Sequence, residues 1–291
     1  MGSPRSVTSE RDGRVQRIAL DRPERGNAID EHMPGELAAA VEAASLDPAV
    51  HVIALSGNGR GFCGGYDLGL WAQDLRPATG DTGDPTDPAV IAANHDPERP
   101  WDPAVDFQMM RRNVRAFMSL FHADKPVVCK VHGFCVAGGT DMALCSDLLV
   151  VADDATIGYP PARVWGSPTT ALWAHRLGVQ RAARLLLTGD CVSGRQAAEW
   201  GLACESWPAG ELDERCEALV RRVARLPVNQ LVMMKLLLNQ SLMAQGLHAS
   251  QVLGTLLDGA ARHTPEGYAF QERAAADGWR EAVRERDERF G

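Results

Sequence analysis

The sequence lacks any segment that reads as a secretory leader or a membrane span: its first ten residues, MGSPRSVTSE, have no apolar core, and its longest apolar window, Leu231 to Leu238, is broken by Lys235. A cytoplasmic protein with no membrane partner is therefore expected. It also lacks a basic stripe. With a net charge of -8 and its Lys and Arg scattered, it has no surface suited to a phosphate backbone, so nucleic acid is not expected as a partner. Seven cysteines, at 63, 129, 135, 145, 191, 204 and 216, form no C-x-x-C pair and no zinc-ligand spacing. Reduced, packed thiols and no bound metal are the expectation. No G-K-[ST] follows a glycine cluster and no G-x-G-x-x-G opens a helix, which excludes a P-loop and a dinucleotide fingerprint. Repeats at solenoid spacing and low-complexity linkers are missing too.

What is present is enough for a large core. The 291 residues are 45% apolar, which rules out global disorder and allows one domain with an appendage. Short runs rich in β-branched residues, Val15 to Leu20, Val50 to Leu55, Val127 to Val131 and Leu148 to Val151, read as strands, and several are apolar on both faces. Between them lie helical patterns: Leu37, Val41 and Ala44 after a cap at Asp30, and Met110, Val114, Phe117, Met118 and Phe121 on one face of another helix. Alternating strands and helices give an α/β class. The stretch 77–103, crowded with Pro, Asp, Gly and Thr, reads as a long surface insertion within a core of residues 1–206. Residues 207–291 read as a helical C-terminal region, opened by Leu212, Cys216, Leu219, Val220 and Val223.

Two glycine clusters each follow a strand directly. The first runs from Gly57 through Arg60, Cys63, Gly64, Gly65 and Tyr66 to Leu68; the second runs from Gly133 through Phe134, Ala137, Gly138 and Gly139 to Asp141. Glycine allows close backbone approach, and Gly138 and Gly139 precede a helical pattern, where free amides and the helix dipole favour negative charge. Two such amides aimed at one point make an oxyanion hole. Either cluster alone reads equally well as a tight turn.

Taken together, Asp21-Arg22-Pro23-Glu24-Arg25-Gly26-Asn27-Ala28-Ile29, GRGFCGGYDL at 59–68, KPVVCKVHGFCVAGGTDMALCSD at 125–147 and TGDCVSGRQAAEWGL at 188–202 resemble the enoyl-CoA hydratase/isomerase (crotonase) superfamily in order and spacing. The resemblance implies a fold of repeated ββα units with a C-terminal helical trimerisation region, assembled as a homotrimer or a dimer of trimers. It implies an acyl-CoA substrate whose thioester oxygen is held by the backbone amides of Tyr66 and Gly138, with no cofactor beyond the coenzyme A of the substrate itself. An enolate stabilised at that point gains about 3–4 kcal/mol from one donor. Coenzyme A would follow Arg25, Asn27, Ala28 and Ile29 beside Gly64, Gly65, Asp67 and Leu68, and Phe134, Ala137, Gly139, Pro160, Pro161 and Trp165 complete the substrate- and CoA-binding set that the resemblance implies. Arg22, Arg25 and Arg60 are candidate phosphate contacts, and Trp71, Trp101, Trp165, Met109 and Met110 candidate acyl-pocket residues.

The sequence also departs from the hydratases it resembles. Those use two glutamates around one water. Here the first position is Asp141, one methylene shorter, and the second, after Gly158-Tyr159-Pro160, is Pro161, which can move no proton. Asp141 is then the main acid/base, and a second group must come from elsewhere: Tyr159 first, then Asp67, then His95 or Asp96. Hydration is the leading expectation. Isomerisation, decarboxylation or C–C hydrolysis through Asp141 alone comes next, and a non-catalytic acyl-CoA-binding protein last. His95 reads as a solvated loop residue, His132 and His175 as structural, and Cys63 as packing.

Overall fold

The computed structural model describes residues 5–74, 84 and 87–290. The strands are β1 (Val7–Asp12), β2 (Val15–Leu20), β3 (Val52–Gly57), β4 (Val127–Val131), β5 (Phe134–Val136), β6 (Leu148–Ala152), β7 (Thr156–Gly158), β8 (Cys191–Ser193) and β9 (Glu205–Trp207). One sheet has the order β1-β2-β3-β4-β6-β9, antiparallel between β1 and β2 and parallel thereafter; the other has the order β5-β7-β8. The strand expected at Val127 to Val131 lies inside the sheet between β3 and β6, with every residue buried except Lys130, which pairs with Asp213. Strand β1 sits at the edge, and its mostly exposed, polar residues gave it no apolar signature.

The helices are α1 (Met33–Leu46), α2 (Pro88–Asn94), α3 (Pro103–His122), α4 (Gly138–Ala143), α5 (Leu172–Leu177), α6 (Val179–Leu186), α7 (Gly194–Trp200), α8 (Leu212–Ala224), α9 (Val228–Ala244), α10 (Leu247–Arg262), α11 (Pro265–Asp277) and α12 (Trp279–Glu288). The cap expected at Asp30 is corrected: α1 is capped at His32, which makes no side-chain cap bond, while Asp30 Oδ1 accepts from the His32 and Met33 amides at 3.1 and 2.8 Å. Helix α3 buries Met110, Val114, Phe117, Met118 and Phe121 as its periodicity requires, each such side chain contributing about 1.5–3 kcal/mol. All seven cysteines are free thiols.

The stretch 77–103, read as a surface insertion, contains ordered helix. Its first part lies largely outside the described residues, but 88–94 form α2, capped by Asp87 and burying Ile91, Ala92 and Asn94. Asn94 ties back to the start of α3 through Asp102 and Asp106.

Strands β3 and β4 are parallel neighbours, so the two glycine clusters leave the sheet side by side at its carboxyl end. They then cross in contact. Phe62 and Cys63 donate to the Phe134 carbonyl at 2.9 and 3.2 Å, and Val136 donates to the Cys63 carbonyl at 3.1 Å. A β-carbon on Gly133 would lie 1.9 Å from the Arg60 carbonyl oxygen, so glycine is required at this crossing.

Candidate active site

The crossing loops present two amides to one cavity. Tyr66 follows Gly65, which has φ +93, and Gly138 follows Ala137, which has φ +52. A positive φ is strained for alanine, and such strain persists only where the surroundings enforce it. Here Ala137 is pinned by its amide to the Gly158 carbonyl and by its own carbonyl, which accepts from Thr140. Gly138 opens α4, so its N–H points out of the helix start. Among the described residues, neither the Tyr66 nor the Gly138 amide has an intramolecular acceptor, and both residues line a cavity of about 360 Å³.

Asp141, on the first turn of α4, faces the same cavity and is only 1% exposed. Its Oδ1 accepts from the Thr170 amide at 3.0 Å and from the Thr170 hydroxyl at 2.7 Å. Burial pushes its carboxyl up to about 7, against those hydrogen bonds and with a further upward push from Asp258. A carboxyl balanced near neutral pH is suited to both giving and taking a proton. Tyr66 and Tyr159 also line the cavity, and burial holds both phenols well above their ordinary value, so each stays a proton-bearing donor.

The model of the enoyl-CoA hydratase/isomerase family matches residues 10–86 and 104–277. The chain belongs to the enoyl-CoA hydratase/isomerase family. It is similar to an enoyl-CoA hydratase from Mycobacterium smegmatis, whose crystal structure superposes with a TM-score of 0.90 at 56% identity over 98% of this chain and 94% of that one. An enoyl-CoA hydratase/isomerase from Xanthobacter autotrophicus Py2 gives a TM-score of 0.82 at 28% identity over 99% of this chain and 100% of that one. The 1,2-epoxyphenylacetyl-CoA isomerase of Escherichia coli is 30% identical over 230 residues, 78% of this chain and 79% of that protein. The fold is thus the crotonase fold, and the chain is an enzyme of this family, acting on acyl-CoA. Residues 87–103, which include α2, fall between the two matched segments.

Within this enoyl-CoA hydratase/isomerase site, several expected residues line the cavity: Gly64, Leu68, Trp71, Met109, Met110, Ala137, Pro160, Pro161 and Trp165. Others do not. Asp67 is corrected as an accessory acid, because its carboxylate pairs with Arg22 at 3.1 Å and accepts from the Gly69 amide at 3.2 Å. Arg22 is corrected as a phosphate contact, since it is spent on Asp67, Asp30 and the Ala28 carbonyl. The Asn27 side chain is buried and bonds the Arg22 amide and the Asn58 and Gly61 carbonyls, so it shapes the loop. Ile29 instead packs against Gly138 and pairs with Tyr66 through its backbone. Gly65, Phe134 and Gly139 lie behind the cavity wall at the crossing, while Arg25 and Arg60 are exposed. Trp101 is 38% exposed and donates to Asp106 outside the cavity. Asp96 caps an exposed turn.

His95 is the clearest miss. It is buried, stands among Trp165, His263 and Tyr268, and lines the cavity; burial first, then the His263 and Arg262 charges, brings its pKa down to about 4. Cys63 behaves as expected, with burial holding its thiol up at about 12. Sequence reasoning also missed Thr170, Asp258 and Arg262. The signal for Asp258 and Arg262 was a polar stripe of Gln251, Thr255, Asp258 and Arg262 along α10, which faces inward while Leu253, Leu256 and Leu257 face out. Among the described residues no cluster of three or more His, Cys, Asp or Glu is placed to hold a metal, and no helix is long and apolar enough to cross a membrane.

Proposed function

We propose that the enzyme hydrates a trans-2-enoyl-CoA, with the thioester oxygen held by the Tyr66 and Gly138 amides and Asp141 delivering the α-proton. The observation that carries this reading is the pairing, in one cavity, of two acceptor-free amides with a buried carboxyl brought up to about 7. Amides fixed before the reaction stabilise the enolate oxygen as its charge develops. The wall of Trp71, Ile91, Met109, Met110 and Trp165 suits an apolar acyl chain. The test is a panel of enoyl-CoA esters followed by loss of the conjugated thioester and mass gain of one water. Hydration should fall at least about a hundredfold in Asp141→Asn.

Isomerisation is the second reading. It needs one base to move one proton, which Asp141 supplies, and Pro161 offers no second carboxylate. An isomerised product with no gain of water would establish it.

Assembly as a homotrimer or dimer of trimers belongs to the same proposal. In α9 the usual polarity is inverted: Lys235 is buried, donating to the Leu120 and Lys125 carbonyls and to Asp147, while Leu237 and Leu238 are 67% and 63% exposed. Leu236, Met233, Leu253 and Leu256 are exposed as well. An apolar face of this kind marks a protein interface, and a second copy of the chain is its proposed occupant.

A further inference from the structure

Pro161 brings no side-chain oxygen to the cavity, yet the space beside it is not bare. A β-carbon on Gly166 would lie 3.3 Å from Pro161 Cβ, 3.5 Å from Asp258 Oδ1 and 3.7 Å from Tyr159 Oη. A carboxylate oxygen and a phenol thus face one small space, and these residues line the same cavity as Asp141, Tyr66 and Gly138. Gly166 has φ +105, a conformation that disfavours any side chain, so the space stays open.

Asp258 is held for this position from two sides. Its Oδ1 accepts from the Ser167 amide at 3.2 Å, and its Oδ2 pairs with Arg262 at 2.7 Å. Arg262 also faces Asp106 at 3.5 Å, which anchors the pair to α3. The guanidinium and the backbone donor hold this carboxylate in one orientation, with Oδ1 beside the open space at Gly166. Asp141, held by the neutral donors of Thr170 and pushed up to about 7, is arranged to give a proton. Two carboxyls on one cavity, one on the helix that starts at the Gly138 amide and the other beside the Tyr159 phenol, are placed for separate roles.

We infer that Asp258 is the second carboxylate of the site and, with Tyr159, holds the water that adds to the substrate double bond; this rests on the hydration reading above. The water O–H proton passes to Asp258 Oδ1 as its oxygen bonds to the β-carbon. The π-electron pair moves onto the thioester oxygen, facing the two amides, and returns as the α-carbon takes the proton of Asp141. The product is a β-hydroxyacyl-CoA. After it leaves, the proton on Asp258 returns to Asp141 through solvent, so one water is consumed and nothing is oxidised or reduced.

The experiment compares two reactions in the full-length enzyme and in Asp258→Asn. One is hydration of a trans-2-enoyl-CoA. The other is exchange of the α-hydrogens of the saturated acyl-CoA of the same length in deuterium oxide, which needs Asp141 and the amides but no added water. Hydration is expected to fall about a hundredfold in Asp258→Asn, with exchange kept within about threefold. Undiminished hydration overturns the role. Loss of both reactions together overturns it too, since Asp258 would then only shape the cavity. Wild-type enzyme that exchanges the α-hydrogens but hydrates no ester sinks the hydration reading itself, and this role with it.

Discussion

A β-carbon on Gly65 would stand 2.7 Å from the β-carbon of Ala137, so the turn before the Tyr66 amide and the turn before the Gly138 amide lie in contact. Both turns depend on a positive φ. Gly65→Ala therefore forces the two amides apart and strains the first turn as well. Turnover should fall by about 10²–10³, the loss seen when one oxyanion donor is removed, with the melting temperature lowered but the fold retained. Steady-state kinetics beside a thermal melt would check this, and turnover within a few-fold of wild type would show that the spacing of these turns is irrelevant.

The carboxyl of Asp141, raised to about 7 by burial, sets a pH signature. Hydration needs its proton, so kcat should fall as pH rises through about 7. Exchange of the α-hydrogens of a saturated acyl-CoA needs the ionised form and should rise through the same range. Opposed profiles with one shared midpoint are expected, and both should vanish in Asp141→Asn. Profiles that rise and fall together would remove Asp141 from the α-proton transfer.

The same group carries a stability prediction. Between its ordinary value of 3.8 and about 7, the folded chain keeps the Asp141 proton while the unfolded chain has lost it. The folded state binds more protons, so this group's contribution makes stability fall as pH rises from about 4 to about 7 and level off above that. Asp141→Asn keeps an oxygen for Thr170 and removes the titration. Denaturant melts across that range should show a flatter pH dependence in the variant, and identical slopes would show that Asp141 does not titrate there.

The glycine clusters were legible in the sequence because glycine is required where the loops cross, as Gly133 and Gly65 illustrate, and because each cluster follows a strand whose apolar run needs no context. The three-residue strands β5, β7, β8 and β9 were not, since so short a segment carries no period. Asp258 was hidden for a different reason. Its place in the cavity depends on α10 folding back onto α3, a long-range closure that leaves no local mark near Asp141. His95 sits in a Pro- and Asp-rich stretch that reads as solvated, yet rings from Trp165 and from His263 and Tyr268, far along the chain, close over it.

Tyr66 separates main-chain from side-chain function. Its hydroxyl accepts from Asn113 at 3.3 Å, while the proposed contribution to the oxyanion is its amide. Tyr66→Phe should keep kcat within about tenfold, whereas Gly138→Pro, which deletes the facing N–H, should abolish turnover. An inactive Tyr66→Phe would transfer the acid role to the phenol.

The exposed leucines of α9 and α10 give the last prediction. Leu237 and Leu238 are exposed on α9 while Lys235 is buried, and α10 shows Leu253 and Leu256 to solvent while its other face carries Asp258 into the cavity. Assembly on this face would brace the helix that forms one wall of the site. Leu237→Glu with Leu253→Glu should therefore shift the protein to monomers in light scattering and also lower hydration, because α10 loses its outer support. Hydration should recover in part at high protein concentration, where association is restored by mass action. A monomeric wild-type protein would sink the assembly proposal, and a monomeric variant with full activity would show that the cavity wall stands without a partner.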